Sequence, residues 1–300
     1  MRLLYFILLG FIILVTSCQD VIEVEVPTGE TRLIIDALMR VDITQEFIGV
    51  KVKVTETNNF FEELPVTSLE NITIIYSTTR DDGLVLSTGT SSLIDLDEGS
   101  GVYVPNPNFS TEQRIRTGVL LQEEDVLFTL IIEHKGRKYA GQTRYAPSSP
   151  IISLAQGDKT LFSEDETEVI VAFEDDPDID NFYVFDFDFD QFLVTEDTFY
   201  NGQEFEFSYF YDKNIDAGQE ITVSILGADR TFYNYMDELI TQSEEPQGPF
   251  QTPVTTVRGN VFDITGLDNI DIVDNAERPN DFPLGYFAIV QEFKRTLTIE

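Results

Sequence analysis

Cysteine occurs once in this 300-residue chain, at Cys18, histidine once, at His134, and tryptophan not at all. A lone cysteine excludes an intramolecular disulfide and any thiolate cluster for zinc or iron, so the folded body must hold by packing alone. A lone histidine excludes multi-histidine metal sites and the zinc-binding helix motif. The lack of tryptophan weakens the case for a carbohydrate-stacking platform. Positive charge is scarce too, with 19 Lys and Arg against 54 Asp and Glu, a formal net charge of −35. Such a surface has no basic footprint for nucleic acid and is repelled by an anionic membrane face. The chain contains no Gly-x-Ser-x-Gly elbow, no phosphate-binding glycine loop, no dinucleotide fingerprint and no fixed-period repeat.

What is present begins with an export pattern. Arg2 is followed by an apolar run from Leu3 to Val15 and then by Val15-Thr16-Ser17-Cys18. A run of about 13 residues is shorter than the roughly 20 that a membrane-spanning helix needs, so it reads as a removable signal core. A small residue before a cysteine predicts cleavage ahead of Cys18 and a lipid on that cysteine. Residues 1–17 are then a lipoprotein signal peptide, and residues 18–32, with Pro27 and Gly29, a lipidated tether. The mature chain would carry 18 bases and 54 acids, which suits a body standing off the bilayer to which Cys18 ties it. With 42% hydrophobic residues, including 24 Phe and 12 Tyr, that body can bury a core despite its charge.

The patterning is mainly β. Val50-Lys51-Val52-Lys53-Val54 alternates, placing three valines on one face and two lysines on the other. Leu33 to Leu38 and Ile72 to Tyr76 read as further strands, and Asp81-Asp82-Gly83 and Lys135-Gly136 as tight turns. Phe128 to Glu133 and Arg137 to Arg144 read as a hairpin. Pro147 and Pro150, flanking Ser148 and Ser149, give the expected boundary between a domain over 33–148 and a β-rich domain over 149–300. In the second half, 168–173, 183–189, 204–211, 221–226, 257–264 and 285–293 read as strands. One stretch has helical spacing: Phe232, Tyr235, Met236, Leu239 and Ile240 form an apolar stripe, predicting an amphipathic helix near 230–242 with Asp229 as its N-cap.

Several constellations bear on chemistry. Residues 160–212 hold 17 acids and no Lys or Arg. Within them Asp176, Asp178 and Asp180 lie two apart, a spacing that could fold oxygens around calcium, although Asn181 and Phe187 stand where an EF-hand loop needs Gly and Glu. The competing reading is a solvated acidic turn. In Phe185-Asp186-Phe187-Asp188-Phe189-Asp190 the alternation predicts a strand with its phenylalanines inward and its aspartates on a wet face. His134 reads as an exposed strand-end residue. Half of the aromatic run Phe205, Phe207, Tyr209, Phe210 and Tyr211 should be core. No acid pair stands out for glycoside hydrolysis.

The start Cys18-Gln19-Asp20-Val21-Ile22-Glu23-Val24-Glu25-Val26-Pro27, followed by Leu33-Ile34-Ile35-Asp36-Ala37, resembles the Bacteroidota outer-membrane lipoproteins catalogued as domain of unknown function 4249. The likeness runs on through Tyr139 and Ala140 before Pro147 and Pro150, the Asp-Pro turn leading to Asn181-Phe182-Tyr183, Pro249-Phe250, Gly259-Asn260 and Leu284-Gly285-Tyr286-Phe287. It implies an N-terminal immunoglobulin-like β-sandwich, a lipid-anchored place in the outer membrane, and an origin beside a TonB-dependent receptor, with no catalytic residues to carry over. The cell surface is favoured over the periplasmic face, although only Asp20 supplies an acid next to the cysteine where surface export favours a tight cluster. The expectation is a non-enzymatic accessory subunit for ligand capture or interaction with a TonB-dependent receptor. The alternatives are a calcium-stabilised structural or adhesion module and a carboxylate-dependent hydrolase.

Overall fold

The computed structural model describes residues 31–58, 65–80, 84–121, 125–243, 256–267 and 282–300. Cys18, the signal segment, the tether up to residue 30, the Asp81-Asp82-Gly83 turn and Pro249-Phe250 lie outside them. In chain order the first strands are β1 (Leu33–Val41), β2 (Val52–Glu56), β3 (Asn71–Thr79), β4 (Val85–Asp95), β5 (Val102–Pro105), β6 (Asp125–His134) and β7 (Arg137–Ala146). They are followed by β8 (Ile151–Gln156), β9 (Thr167–Glu174), β10 (Phe182–Asp186), β11 (Phe192–Glu196), β12 (Glu204–Tyr211) and β13 (Glu220–Ala228). A helix, α1 (Arg230–Ser243), and the strands β14 (Val261–Asp263) and β15 (Leu284–Thr298) complete the described elements. The fold is mainly β, as the alternation predicts.

Strand periodicity explains the first unit. In β1 the odd residues Leu33, Ile35, Ala37, Met39 and Val41 are buried while Asp36 is exposed, and in β2 Val52 and Val54 are buried while Lys53 is exposed. The strands run in the order β15-β1-β2-β5-β4-β3-β6-β7, and β7 pairs back onto β15, closing an eight-stranded barrel. Ile35, Ile74, Phe128, Leu130 and Phe287 lie in its core and are fully buried. Eight strands give an interior that side chains of this size fill.

This corrects the expected immunoglobulin-like sandwich over 33–148. Strand β15, from the far end of the sequence, inserts between β1 and β7 and runs parallel to both, with Ile34 opposite Leu284 and Ile289 opposite Tyr145. Inside-outside alternation is common to sandwiches and barrels; only this long-range pairing distinguishes them.

The seam is made by residues of unusual shape. Gly285 has φ +91°, and a Cβ there would sit 1.9 Å from the Ile35 carbonyl oxygen. A Cβ on Gly259 would sit 1.6 Å from the Gly285 carbonyl oxygen. The neighbouring Asn260 acts as a substitute peptide group. Its Nδ2 donates to the Gln142 and Phe287 carbonyls at 3.0 and 2.7 Å, and its Oδ1 accepts from the Phe287 N–H at 2.8 Å. It thus fills the gap along β7 between β14, paired at 139–141, and β15, paired at 145–146.

A sandwich does exist, in the second half. Beyond Gln291, β15 leaves the barrel and pairs with β13, so that β11-β10-β13-β15 continues the barrel sheet and faces the three-stranded sheet β12-β9-β8. Between them lie Val169, Val171, Phe173, Tyr183, Phe185, Phe187, Val223 and Ile225. Residue 148 is where the chain leaves the barrel, and that link is pinned. The Ser148 N–H donates to Gln291 Oε1 at 2.9 Å, and Ser149 Oγ lies 3.0 Å from Tyr183 Oη.

Helix α1 covers the other face of β10, β13 and β15, with Phe232 buried and Tyr235 packed on Tyr286. Asp229 caps it as expected, its Oδ1 accepting from the Phe232 N–H at 2.7 Å.

Candidate interaction site

Among the described residues four clusters of polar side chains stand out, and in each the polar atoms already serve one another. Asp175, buried, accepts from Tyr183 Oη at 2.7 Å and from the Gly202 N–H at 2.8 Å. Burial drives the Tyr183, Tyr200 and Tyr211 phenols far above their ordinary range, so they serve as neutral hydrogen-bonding groups. Glu168, also buried, accepts from Ser208 Oγ and from the Lys159 N–H. Chiefly the Ser208 hydroxyl, working against burial, holds its carboxyl below the ordinary value.

His134 is buried, which corrects the expectation of an exposed residue. Val126, Phe128, Leu130 and Ile132 face the barrel core, and His134 continues that same two-residue period. The alternation in β6 was therefore the signal that could have placed it. Its Nε2 lies 2.7 Å from Glu56 Oε1, which also accepts from Lys135 Nζ at 2.7 Å. Burial pushes the Glu56 carboxyl up, but the bonds from Lys135 and His134 outweigh it and leave a lowered value. The fourth cluster joins the two units, with Arg40 on the barrel meeting Asp186 at 2.7 Å and Glu292 at 3.4 Å. Ser224 Oγ donates to the same Glu292 oxygen at 2.8 Å.

Asp176, Asp178 and Asp180 are exposed on the loop between β9 and β10. An Asp176 oxygen accepts from the Asp178 N–H at 3.0 Å, and the Asn181 side chain ties the loop to the Asp176 and Ile179 carbonyls. Among the described residues no three His, Cys, Asp or Glu side chains gather closely enough to hold a metal ion. More of the aromatic run of β12 faces the sandwich core than the expected half, with Phe205, Phe207 and Tyr209 packed against it and Tyr211 within it.

The six-residue alternation at 185–190 is not one strand. Strand β10 ends at Asp186, and Asp188, Phe189 and Asp190 adopt φ of 63°, 52° and 58°, the left-handed region that side chains disfavour. Neighbours impose this turn. The Phe187 N–H donates to the Gln191 carbonyl at 2.9 Å, Asp188 Oδ2 accepts from the Thr222 N–H at 2.8 Å, and Tyr211 Oη donates to the Phe187 carbonyl at 2.6 Å. Phe189 is thereby turned out of the core to 37% exposure, with Lys213 Nζ 4.1 Å from its ring centroid.

Two more loops lie at the same end of the sandwich. Pairing of Glu220 with Thr298 places residues 212–219 there, and the bond from the Glu300 N–H to Gln156 Oε1 places 157–166 beside them. Glu166 accepts from the N–H groups of both Leu161 and Phe162, fixing a tight loop that leaves Phe162 90% exposed. This end is opposite the one at which the chain enters the barrel. Leu284 lies beside Ile34, and β15 then runs about 45–50 Å to Thr298.

No curated protein matches the chain. The model of the family described as Domain of unknown function (DUF4249) matches residues 19–267, taking in β1 to β14 and the Gly259-Asn260 seam, and the chain belongs to that family.

Proposed function

We propose that the chain works by contact and not by catalysis, as a lipid-anchored outer-membrane protein serving a TonB-dependent receptor as an accessory subunit for ligand capture or interaction. The observation that carries this reading is the polarity of the molecule. The chain rises into the barrel at Leu33, downstream of the lipoprotein pattern ending at Cys18, while the sandwich extends β15 away from that end. A body of this shape suits a protein that is tethered at one end and meets a partner with the other. A carboxylate-dependent hydrolase is less well supported, because the half-buried Glu56 and the buried Asp175 and Glu168 are already engaged by hydrogen-bond donors of the fold.

The test has two parts. Replacing Cys18 by Ser should abolish incorporation of labelled palmitate and release the protein from the membrane fraction. Affinity purification of the wild-type chain from detergent-solubilised outer membranes of the native cell should recover a receptor in stable proportion. A wild-type preparation free of any receptor would overturn the accessory role.

A further inference from the structure

Two of the three loops at the far end of the sandwich present apolar side chains that the core does not need. Phe162 is 90% exposed, Leu161 beside it is exposed, and Phe189 is turned outward within three successive residues, Asp188 to Asp190, that hold the left-handed region. Left-handed conformations are costly for residues with side chains and persist where the surroundings over-determine them, which is a mark of pre-organised contact sites. The surrounding charge is one-sided. Residues 157–166, 187–191 and 212–219 together hold eight acids, against Lys159 and Lys213.

We infer that this end is a docking surface for a partner protein that offers an apolar pocket rimmed by Lys and Arg, with Phe162 and Phe189 as the inserted aromatics. Charge selects this occupant. A second copy of the chain would bring the same acids, and an anionic bilayer would repel them. Aromatic residues, phenylalanine among them, are enriched in interfaces over the rest of the surface, and one held by its own loop loses little freedom on binding. Glu166 supplies that hold through two backbone N–H groups. The inference rests on the accessory reading above and adds which surface makes the contact.

The test uses the full chain in the native envelope, with a photoreactive phenylalanine analogue in place of Phe162, Phe189 or Phe199. Phe199 is equally exposed at 91% but sits at the opposite end of the sandwich, after β11. Positions 162 and 189 should each give a discrete protein adduct and position 199 none. In isolated outer membranes the yield should fall about fivefold or more between 0.05 and 0.5 M NaCl. It should fall similarly in the Glu164→Lys, Asp165→Lys double variant, whose melting midpoint should stay unchanged. Equal adducts at 162 and 199, an adduct made of two copies of this chain, or crosslinks only to lipid would overturn the inference. A receptor captured only through position 199 would leave the accessory role standing and remove this surface. A salt-sensitive adduct with a protein that is no receptor would keep the surface and remove the accessory role.

Discussion

The barrel and the sandwich share strand β15 yet solve the problem of stability differently. The barrel closes on itself, so its strands have no free edges, and its core is largely aliphatic around Ile35, Val54, Ile74 and Leu130. The sandwich is open and fills its interior with rings. Phe173 meets Tyr183, Phe185 and Tyr200 edge-on at 5.3, 5.5 and 5.6 Å, and Phe187 stacks on Tyr209 at 3.8 Å. Aromatic pairs add roughly 0.5–1.5 kcal/mol each beyond their buried area. Charge divides the same way. Residues 33–148 carry 10 Lys and Arg against 17 Asp and Glu, whereas 149–228 carry 2 against 20. The sandwich therefore tolerates strong self-repulsion on a dense aromatic core, and the barrel relies on correct closure.

The sharpest way to break this contrast is at the seam. Gly285→Val should cost about 4 kcal/mol or more, because the new side chain meets the Ile35 carbonyl at a backbone angle it cannot adopt. Urea unfolding would measure the loss, and hydrogen exchange should show barrel amides opening first; an unchanged midpoint would refute the closure argument. Asn260→Ala removes three seam hydrogen bonds and should cost about 2 kcal/mol by the same assay.

The matching change in the sandwich is Tyr183→Phe, which leaves Asp175 Oδ1 and Ser149 Oγ without their shared partner. A loss of about 1–2 kcal/mol is expected, with faster exchange in β9 and β10 and little change in β3 and β6. Uniform acceleration across both units would mean that they do not unfold separately.

Acid titration probes one carboxylate in each unit. Glu56 and Glu168 both have folded pKa values below their ordinary 4.5. The stability they supply is therefore present above pH 4.5 and lost as pH falls through the lowered folded values. Ser208→Ala, which removes the main cause of the Glu168 shift, should destabilise by about 1 kcal/mol at pH 7 and by progressively less below pH 4.5. Unfolding midpoints across pH 3–7 check this, and a constant difference would count against it. The smallest effect expected is that of salt. Raising NaCl from 0.01 to 0.2 M should slow exchange in the sandwich by more than in the barrel, as screening relieves the more one-sided charge.

Much of the secondary structure was legible in the residues. Val50 to Val54 showed its buried and wet faces, Lys135-Gly136 its turn, and Asp229 its cap, because each depends on neighbours within a few positions. The alternation at 185–190 misled because Tyr211 and Thr222, distant in sequence, draw the chain into a left-handed turn after Asp186. The far-end contact surface left only a partial trace, in the acidity of 160–212. Exposure of Phe162 cannot be read from its type, since among the described residues most phenylalanines are buried or half-buried.

By itself the sequence determined that this is an acidic, mainly β chain that can form no intramolecular disulfide, with an amphipathic helix near 230–242. Those properties follow from composition and short-range period. Tertiary structure alone decided that the first unit is a closed barrel and not an immunoglobulin-like sandwich, and that the sandwich lies in the second half. The reason is that β-sheet closure depends on which distant strand supplies the last hydrogen bonds, here β15 between β1 and β7, and local alternation is the same for either partner.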